Sequence, residues 1–179
     1  MGEIIYTIGH STRSLAEFSS VLQAHEIRLL EDIRAFPMSR RHPHFNRENL
    51  EHWLPQIGCE YVWEKGLGGR RKQLMPREQS PNIALRNDSF RNYADYMLSS
   101  PFHQAVERLL EHAGQTKTAI MCAEAVYFHC HRMLVSDYMV SRGHTVLHIV
   151  DAHPPKSHTL SKDARIIDGR LVYRGDYLL

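Results

Sequence analysis

Apolar and polar positions along the chain keep two rhythms, a period near two and a period near 3.6, and they alternate. Ile4–Ile8 is rich in strand formers and breaks at Gly9-His10-Ser11. Leu15, Phe18, Val21 and Leu22 then recur at helical spacing, behind Ser14 and Glu17 placed as a capping box. Leu29–Ile33 predicts a second strand, which Pro37 brings to a stop. Asn46 is positioned to cap a helix with Leu50, Trp53, Leu54 and Ile57 on one face, weakened at Pro55 and ended by Gly58. Glu60–Trp63 reads as a third strand. Residues 70–89 follow without clear periodicity, a length at which a loop in a compact domain is usually a lid or a mobile segment. Phe90, Tyr93, Ala94, Met97 and Leu98 mark the next helical face. Ser100-Pro101 opens another helix, carrying Phe102, Ala105, Val106, Leu109 and Ala113 before Gly114. A buried strand at Thr118–Cys122, a helix over roughly 130–141 and a strand at Val146–Val150 complete the alternation. Asp168-Gly169 centres a hairpin within Arg165–Tyr173.

Strand and helix signals that alternate in this way predict an α/β fold, a three-layer Rossmann-like arrangement with a mainly parallel sheet and a C-terminal β-hairpin. The strand, helix and strand between residues 118 and 150 form a crossover unit, which requires parallel strands. The 179 residues suit one domain spanning 1–179. Composition changes this picture little: 42% hydrophobic and 23% charged residues are ordinary for a soluble protein. No apolar run reaches the ~20 residues of a membrane span. The opening residues lack the layout of a signal peptide, and three cysteines give no disulfide framework, so a cytoplasmic location is expected.

Charge adds more by position than by amount. A net charge of +2 is too mild to announce nucleic acid, yet basic residues cluster at residues 39–44 and 69–72. The densest chemistry lies in the loop after the strand at 118–122, where Cys122, Glu124, Cys130, His131 and Arg132 fall within eleven positions. Loops at the carboxyl ends of parallel strands are where such sheets bind ligands. His10 and Ser11 follow the first strand, and Asp32, Arg34, Ser39 and Arg40 follow the second, so the three loops should share one rim. Cys122 is the candidate nucleophile or wall residue, with Glu124 and His131 as candidate proton carriers. Arg132 and His131 open a helix, where a cation opposes the helix dipole, and a bound anion would resolve the conflict. An ion pair with a residue such as Asp32 is the alternative. Gly68 and Gly69, followed by two arginines, lie in a glycine-rich turn without the spacing of a dinucleotide or Walker loop. No metal site and no cofactor is assigned, and there is no Cys-x-x-Cys pair.

Taken together, Thr7-Ile-Gly-His-Ser11, Asp32-Ile-Arg34 with Pro37 and Ser39-Arg40, Phe45, Leu67-Gly-Gly69, Cys122-Ala-Glu124, Cys130-His-Arg132 and His148-Ile149 give a specific signature. On these residues the chain resembles the "domain of unknown function 488" family over nearly its whole length. The resemblance implies an α/β, Rossmann-like domain with its shared polar residues gathered at one edge of the sheet. It implies no particular reaction.

The expectation is therefore an enzyme that binds a phosphate-bearing or other anionic substrate, a nucleotide or a component of nucleic acid, at that edge. Arg34, Arg40 and Arg132 would hold the anion, with His10, Ser11, Asp32, Ser39, Gly68, Gly69 and Cys130 around it. Hydrolysis, glycosidic cleavage and group transfer all fit these residues. The competing reading is a non-catalytic nucleic-acid-binding module that uses the basic loops. A pocket would favour the first, an exposed basic stripe the second. No protein partner is indicated.

Overall fold

The computed structural model describes residues 2–175. Its centre is a sheet of six strands: β1 (Ile4–Gly9), β2 (Leu29–Asp32), β3 (Glu60–Trp63), β4 (Thr118–Cys122), β5 (Thr145–Ile149) and β6 (Lys156–Ser157), in the order β3-β2-β4-β1-β5-β6. The first five are parallel, and β6 runs antiparallel on the edge beside β5. A separate hairpin pairs β7 (Ala164–Ile167) with β8 (Arg170–Tyr173) across a turn in which Asp168 and Gly169 both have positive φ, as the Asp-Gly pair leads one to expect. The molecule is thus Rossmann-like, a mainly parallel sheet with helices on both faces and a C-terminal hairpin.

Five helices cover the sheet: α1 (Leu15–Ala24), α2 (Arg47–Trp53), α3 (Asp88–Tyr96), α4 (Ser100–Gln115) and α5 (Arg132–Ser141). Phe18 and Leu22 of α1 pack with Leu50 and Trp53 of α2 on one face of the sheet, against Ile8, Leu30, Ala119 and Met121. On the other face α3, α4 and α5 bury Tyr93, Phe102, Leu109, Leu134 and Val135 against Ile5, Ile120 and Val146. In β4, Ala119 and Met121 therefore serve one core and Ile120 the other, and all five residues are buried, which is why this strand reads as a continuous apolar run.

The connections fix where a ligand can enter. The chain leaves β1 through α1 toward β2 on one face and leaves β4 through α5 toward β5 on the other. β1 and β4 lie side by side, so their following loops part at a topological switch point and leave a crevice. β1 stands between β4 and β5, so the crossover strands are parallel but not neighbours.

Local chemistry accounts for the helix ends. Ser14 and Glu17 form the capping box. α2 gives way at Leu54, one residue before Pro55, to a 3-10 turn that ends at Gly58, whose φ is +73°. Helix α4 runs on through Gly114 to Gln115 and ends at Thr116, whose backbone is extended; a glycine without positive φ does not by itself stop a helix. The 70–89 segment departs from the expected lid. Ser80 Oγ and Asn82 Nδ2 both donate to the buried Asp95 carboxylate, and Asn82 Oδ1 accepts from the backbone N–H of Tyr173, so the loop is tied along α3 and the hairpin. Among the described residues no helix is long and apolar enough to cross a membrane.

Candidate active site

The β1–β4 ladder continues past its strands, with His10 N–H donating to Cys122 C=O and Ser11 N–H to Ala123 C=O, each at 2.9 Å. This close passage needs Gly9, since a Cβ there would lie 1.8 Å from the Glu124 carbonyl oxygen. Ser11 takes a positive φ of 52°, so the turn that aims His10 is held in a conformation costly for a non-glycine residue. Above the switch point opens a cleft of about 1000 Å³. His10, Ser11, Arg34, Ser39, Arg40, Gly69, Cys122, Glu124, Cys130 and His131 line it, together with Phe36, Met38, Arg41, His42, Arg70 and His129. The three loops thus meet as the strand pattern implied. Asp32, Gly68 and Arg132 lie behind the wall.

Two free thiols form the floor. Cys122 and Cys130 are buried, with Sγ atoms 2.9 Å apart, close enough for one to donate its S–H to the other. Arg132, only 1% exposed, donates Nε–H to Cys122 Sγ at 3.0 Å and to Cys130 Sγ at 3.4 Å. Its Nη2 bonds the carbonyls of Glu124 and Ala125, and its Nη1 donates to Thr7 Oγ1 at 3.3 Å. The hydrogen bond from Cys122 pulls the Cys130 thiol well below its ordinary range; His131 and the Arg132 charge add to this and together outweigh burial. Burial, and then its neighbour Cys130, push Cys122 the other way. The pair is best described as a Cys130 thiolate accepting from a Cys122 thiol. This gives Cys130, expected only to contact substrate, the more nucleophilic sulfur.

His131 donates Nε2–H to the Ile33 carbonyl at 2.9 Å, because a carbonyl can only accept. Its other nitrogen is left facing Gly69, where a Cβ would come 2.4 Å from Nδ1. The Gly68-Gly69 pair therefore serves close packing, Gly68 against Ala35 and Gly69 against the imidazole, in place of the expected cradle for phosphate. Glu124 is exposed on the wall, and its carboxylate makes no hydrogen bond among the described residues.

Two expected anion binders have partners within the protein. Arg34 Nε and Nη2 grip both oxygens of the fully buried Asp32, at 2.6 to 3.1 Å, and Nη2 also bonds the Phe45 carbonyl. Tyr61 adds its hydroxyl to Asp32 at 2.6 Å. Arg132 is satisfied inside by sulfur, hydroxyl and carbonyl groups. Neither guanidinium is held out to an external anion, although Arg34 Nη1 still reaches His10 Nε2 at 3.4 Å. His10 donates Nδ1–H to the Ser11 carbonyl and stacks on Phe45 at 4.3 Å. Burial lowers its pKa to about 4, with Arg34 adding to the effect, so it presents a neutral acceptor to the cleft. Arg40 remains exposed on the rim beside Arg41, and neither forms an ion pair among the described residues.

A buried chain of hydrogen bonds behind the thiols was not anticipated. Thr7 Oγ1 lies 2.7 Å from His148 Nδ1, His148 Nε2 lies 2.8 Å from His158 Nδ1, and His158 Nε2 lies 2.8 Å from Asp137 Oδ1. Tyr173 hydroxyl and Ser161 N–H also donate to Asp137. Both ends fix the same direction. Arg132 can only donate to Thr7, and ionised Asp137 can only accept, so each imidazole carries its hydrogen on Nε2. Tyr127 stacks on His148 at 3.6 Å, and burial lowers the pKa of His148 to about 3. The sequence held two signals: His148 shares the inward parity of Val146, and Asp137 interrupts an apolar helix. Among the described residues no three His, Cys, Asp or Glu side chains converge as metal ligands would.

No curated protein and no solved structure matches the chain. A family model described as "Domain of unknown function DUF488" matches residues 14–139, a span that contains Asp32, Arg34 and the whole thiol centre. That match covers well over half of the chain, and the protein belongs to this family.

Proposed function

We propose that this protein is an enzyme that takes a phosphate-bearing substrate, a nucleotide or a component of nucleic acid, into the cleft and attacks it with the Cys130 thiolate. The observation that carries the reading is Arg132. A buried guanidinium without an anion costs several kcal/mol, and among the described residues Arg132 touches no carboxylate oxygen. Asp137 is separated from it by Thr7, His148 and His158. The sulfur pair is the group in contact with Arg132 that can supply a negative charge.

The chemistry follows from that placement. The proton that leaves Cys130 as the thiolate forms is taken by the second nitrogen of His131, and the sulfur lone pair then forms a bond to an electrophilic centre of the substrate. The bond to the leaving group breaks, and His131 returns the proton to it. Water or an acceptor, deprotonated by Glu124, then displaces the sulfur, which leaves as thiolate. This makes a hydrolase or a transferase. Arg40, Arg41 and Arg70 converge on a cleft with a reactive floor, which supports an enzyme over a non-catalytic basic module. Free Cys59, Cys122 and Cys130 suit a reducing compartment, so we place the protein in the cytoplasm.

Iodoacetamide labelling followed by peptide mapping across pH tests the thiolate. Cys130 should label with an apparent pKa well below the ~8.5 of a free thiol, and Cys130→Ser should lose turnover. Labelling of Cys130 no faster than a free thiol below that range would sink the reading.

A further inference from the structure

The mouth of the cleft carries a pattern that the thiol chemistry does not use. Phe36 is 67% exposed, Met38 76% and Phe128 52%, while Phe18, Phe45 and Phe102 are fully buried. Phe36 and Met38 stand on the cleft wall after β2. Phe128 stands in the 3-10 turn before α5, its ring edge-on to His129, which lines the cleft, with centroids 4.8 Å apart. The guanidinium of Arg70 lies 5.7 Å over the Phe36 ring. Arg40 and Arg41 flank this wall. The charge of Arg34 is matched by Asp32, so among the lining residues three arginines face one carboxylate, Glu124. A cleft of about 1000 Å³ is at the upper end for a small ligand.

Flat apolar faces interleaved with cations are what an unpaired nucleic-acid strand requires. Its bases offer π-faces for stacking, and its phosphates need counter-charge at short intervals. A duplex keeps its bases stacked on one another, and a sugar phosphate has no π-face of its own to stack. An acidic peptide would answer the arginines and leave the phenylalanines exposed. We propose that the mouth is a docking groove for single-stranded nucleic acid, with bases stacked on Phe36 and Phe128 and phosphates at Arg40, Arg41 and Arg70. The proposal rests on the reading of the cleft as an anion-binding active site and narrows its substrate to a nucleotide within a strand. Glu124 is then the one carboxylate among the described lining residues beside the strand, close to the thiols.

Fluorescence anisotropy of the full chain tests this with a labelled single-stranded DNA or RNA oligonucleotide, competed by the duplex, by mononucleotides and by an acidic peptide. The single strand should bind at least about tenfold more tightly than any competitor. Phe36→Ala and Phe128→Ala should each weaken it by about 5- to 150-fold, the equivalent of one lost base stack. Arg40→Gln and Arg41→Gln should each reduce the salt slope by roughly one phosphate contact. Circular dichroism checks the fold of each variant. Equal binding of strand and duplex, or of strand and acidic peptide, overturns the proposal. So do folded Phe36→Ala and Phe128→Ala proteins that bind unchanged. Mononucleotides that bind as tightly as the strand overturn the groove and leave the anion-binding active site standing, whereas the thiolate is judged separately by the labelling of Cys130.

Discussion

At Gly69 the chain runs so close to His131 that a methyl group would collide with the imidazole, at 2.4 Å from Nδ1. Gly69→Ala must therefore displace the imidazole or the turn that carries residue 69, disturbing one of the interactions that hold the thiol down. The expected outcome is an alkylation profile for Cys130 displaced to higher pH, with a loss of about 1–3 kcal/mol in urea unfolding from overpacking. An unchanged profile in the folded variant would show that His131 plays no part in the ionisation. The same scale explains what the sequence concealed about Arg34 and Arg132. Their residue types and loops were legible, but the direction of a long side chain is set by which of several possible partners the fold brings to it. Asp32 lies two residues from Arg34, whereas Thr7 and the Cys122 sulfur approach Arg132 only after folding.

Elements were legible where local chemistry decides them. The capping box of α1, the glycine ending the turn after α2 and the Asp-Gly turn between β7 and β8 each satisfy backbone groups or permit positive φ within a few residues. Short features without such signals were not. Strand β6 has two residues, and the 3-10 turn at Tyr127–His129 sits in a stretch that reads simply as apolar loop. The order of the strands was equally hidden, because the placement of β1 between β4 and β5 depends on which face each crossover takes, and periodicity within a strand carries no record of that. Strand ends, by contrast, were clear enough to gather His10, Ser39, Arg40 and Cys122 at one rim, because parallel strands point the same way.

For the whole molecule, buried titratable groups set a window of stability. The folded-state pKa values of His10 and His148 fall to about 4 and about 3, below an unfolded value of 6.5. Their contribution is present above pH 6.5 and is lost as pH falls through the folded values. Glu31 behaves oppositely. Burial raises it to about 7, beside His112, so its contribution is complete below the unfolded value of 4.5 and is lost as pH rises through 7. Two histidines outweigh one carboxyl between pH 4.5 and 6.5, so the urea midpoint should peak near pH 6.5, falling on the acid side and slightly toward pH 7. The loss assigned to His10 is on the order of 3 kcal/mol once it is fully charged. His10→Gln should shallow the acid limb, and a midpoint indifferent to pH between 4 and 6.5 would mean that these histidines are not held neutral.

The buried chain behind the thiols draws Thr7 from β1, His148 from β5, Asp137 from α5 and Tyr173 from β8 into one structure. Thr7 and His148 are partners in the β1–β5 ladder itself, so the chain of hydrogen bonds closes only as that non-local, slow pairing is made. In refolding from urea, Cys130 should regain its low-pH labelling no earlier than the sheet's circular dichroism returns, and labelling that recovered ahead of the sheet would contradict that dependence. The consequence is protective. A half-made or partly unfolded chain carries three ordinary, slow thiols, and the sulfur becomes aggressive toward electrophiles and oxidants only once the closed fold is there to restrict what reaches it.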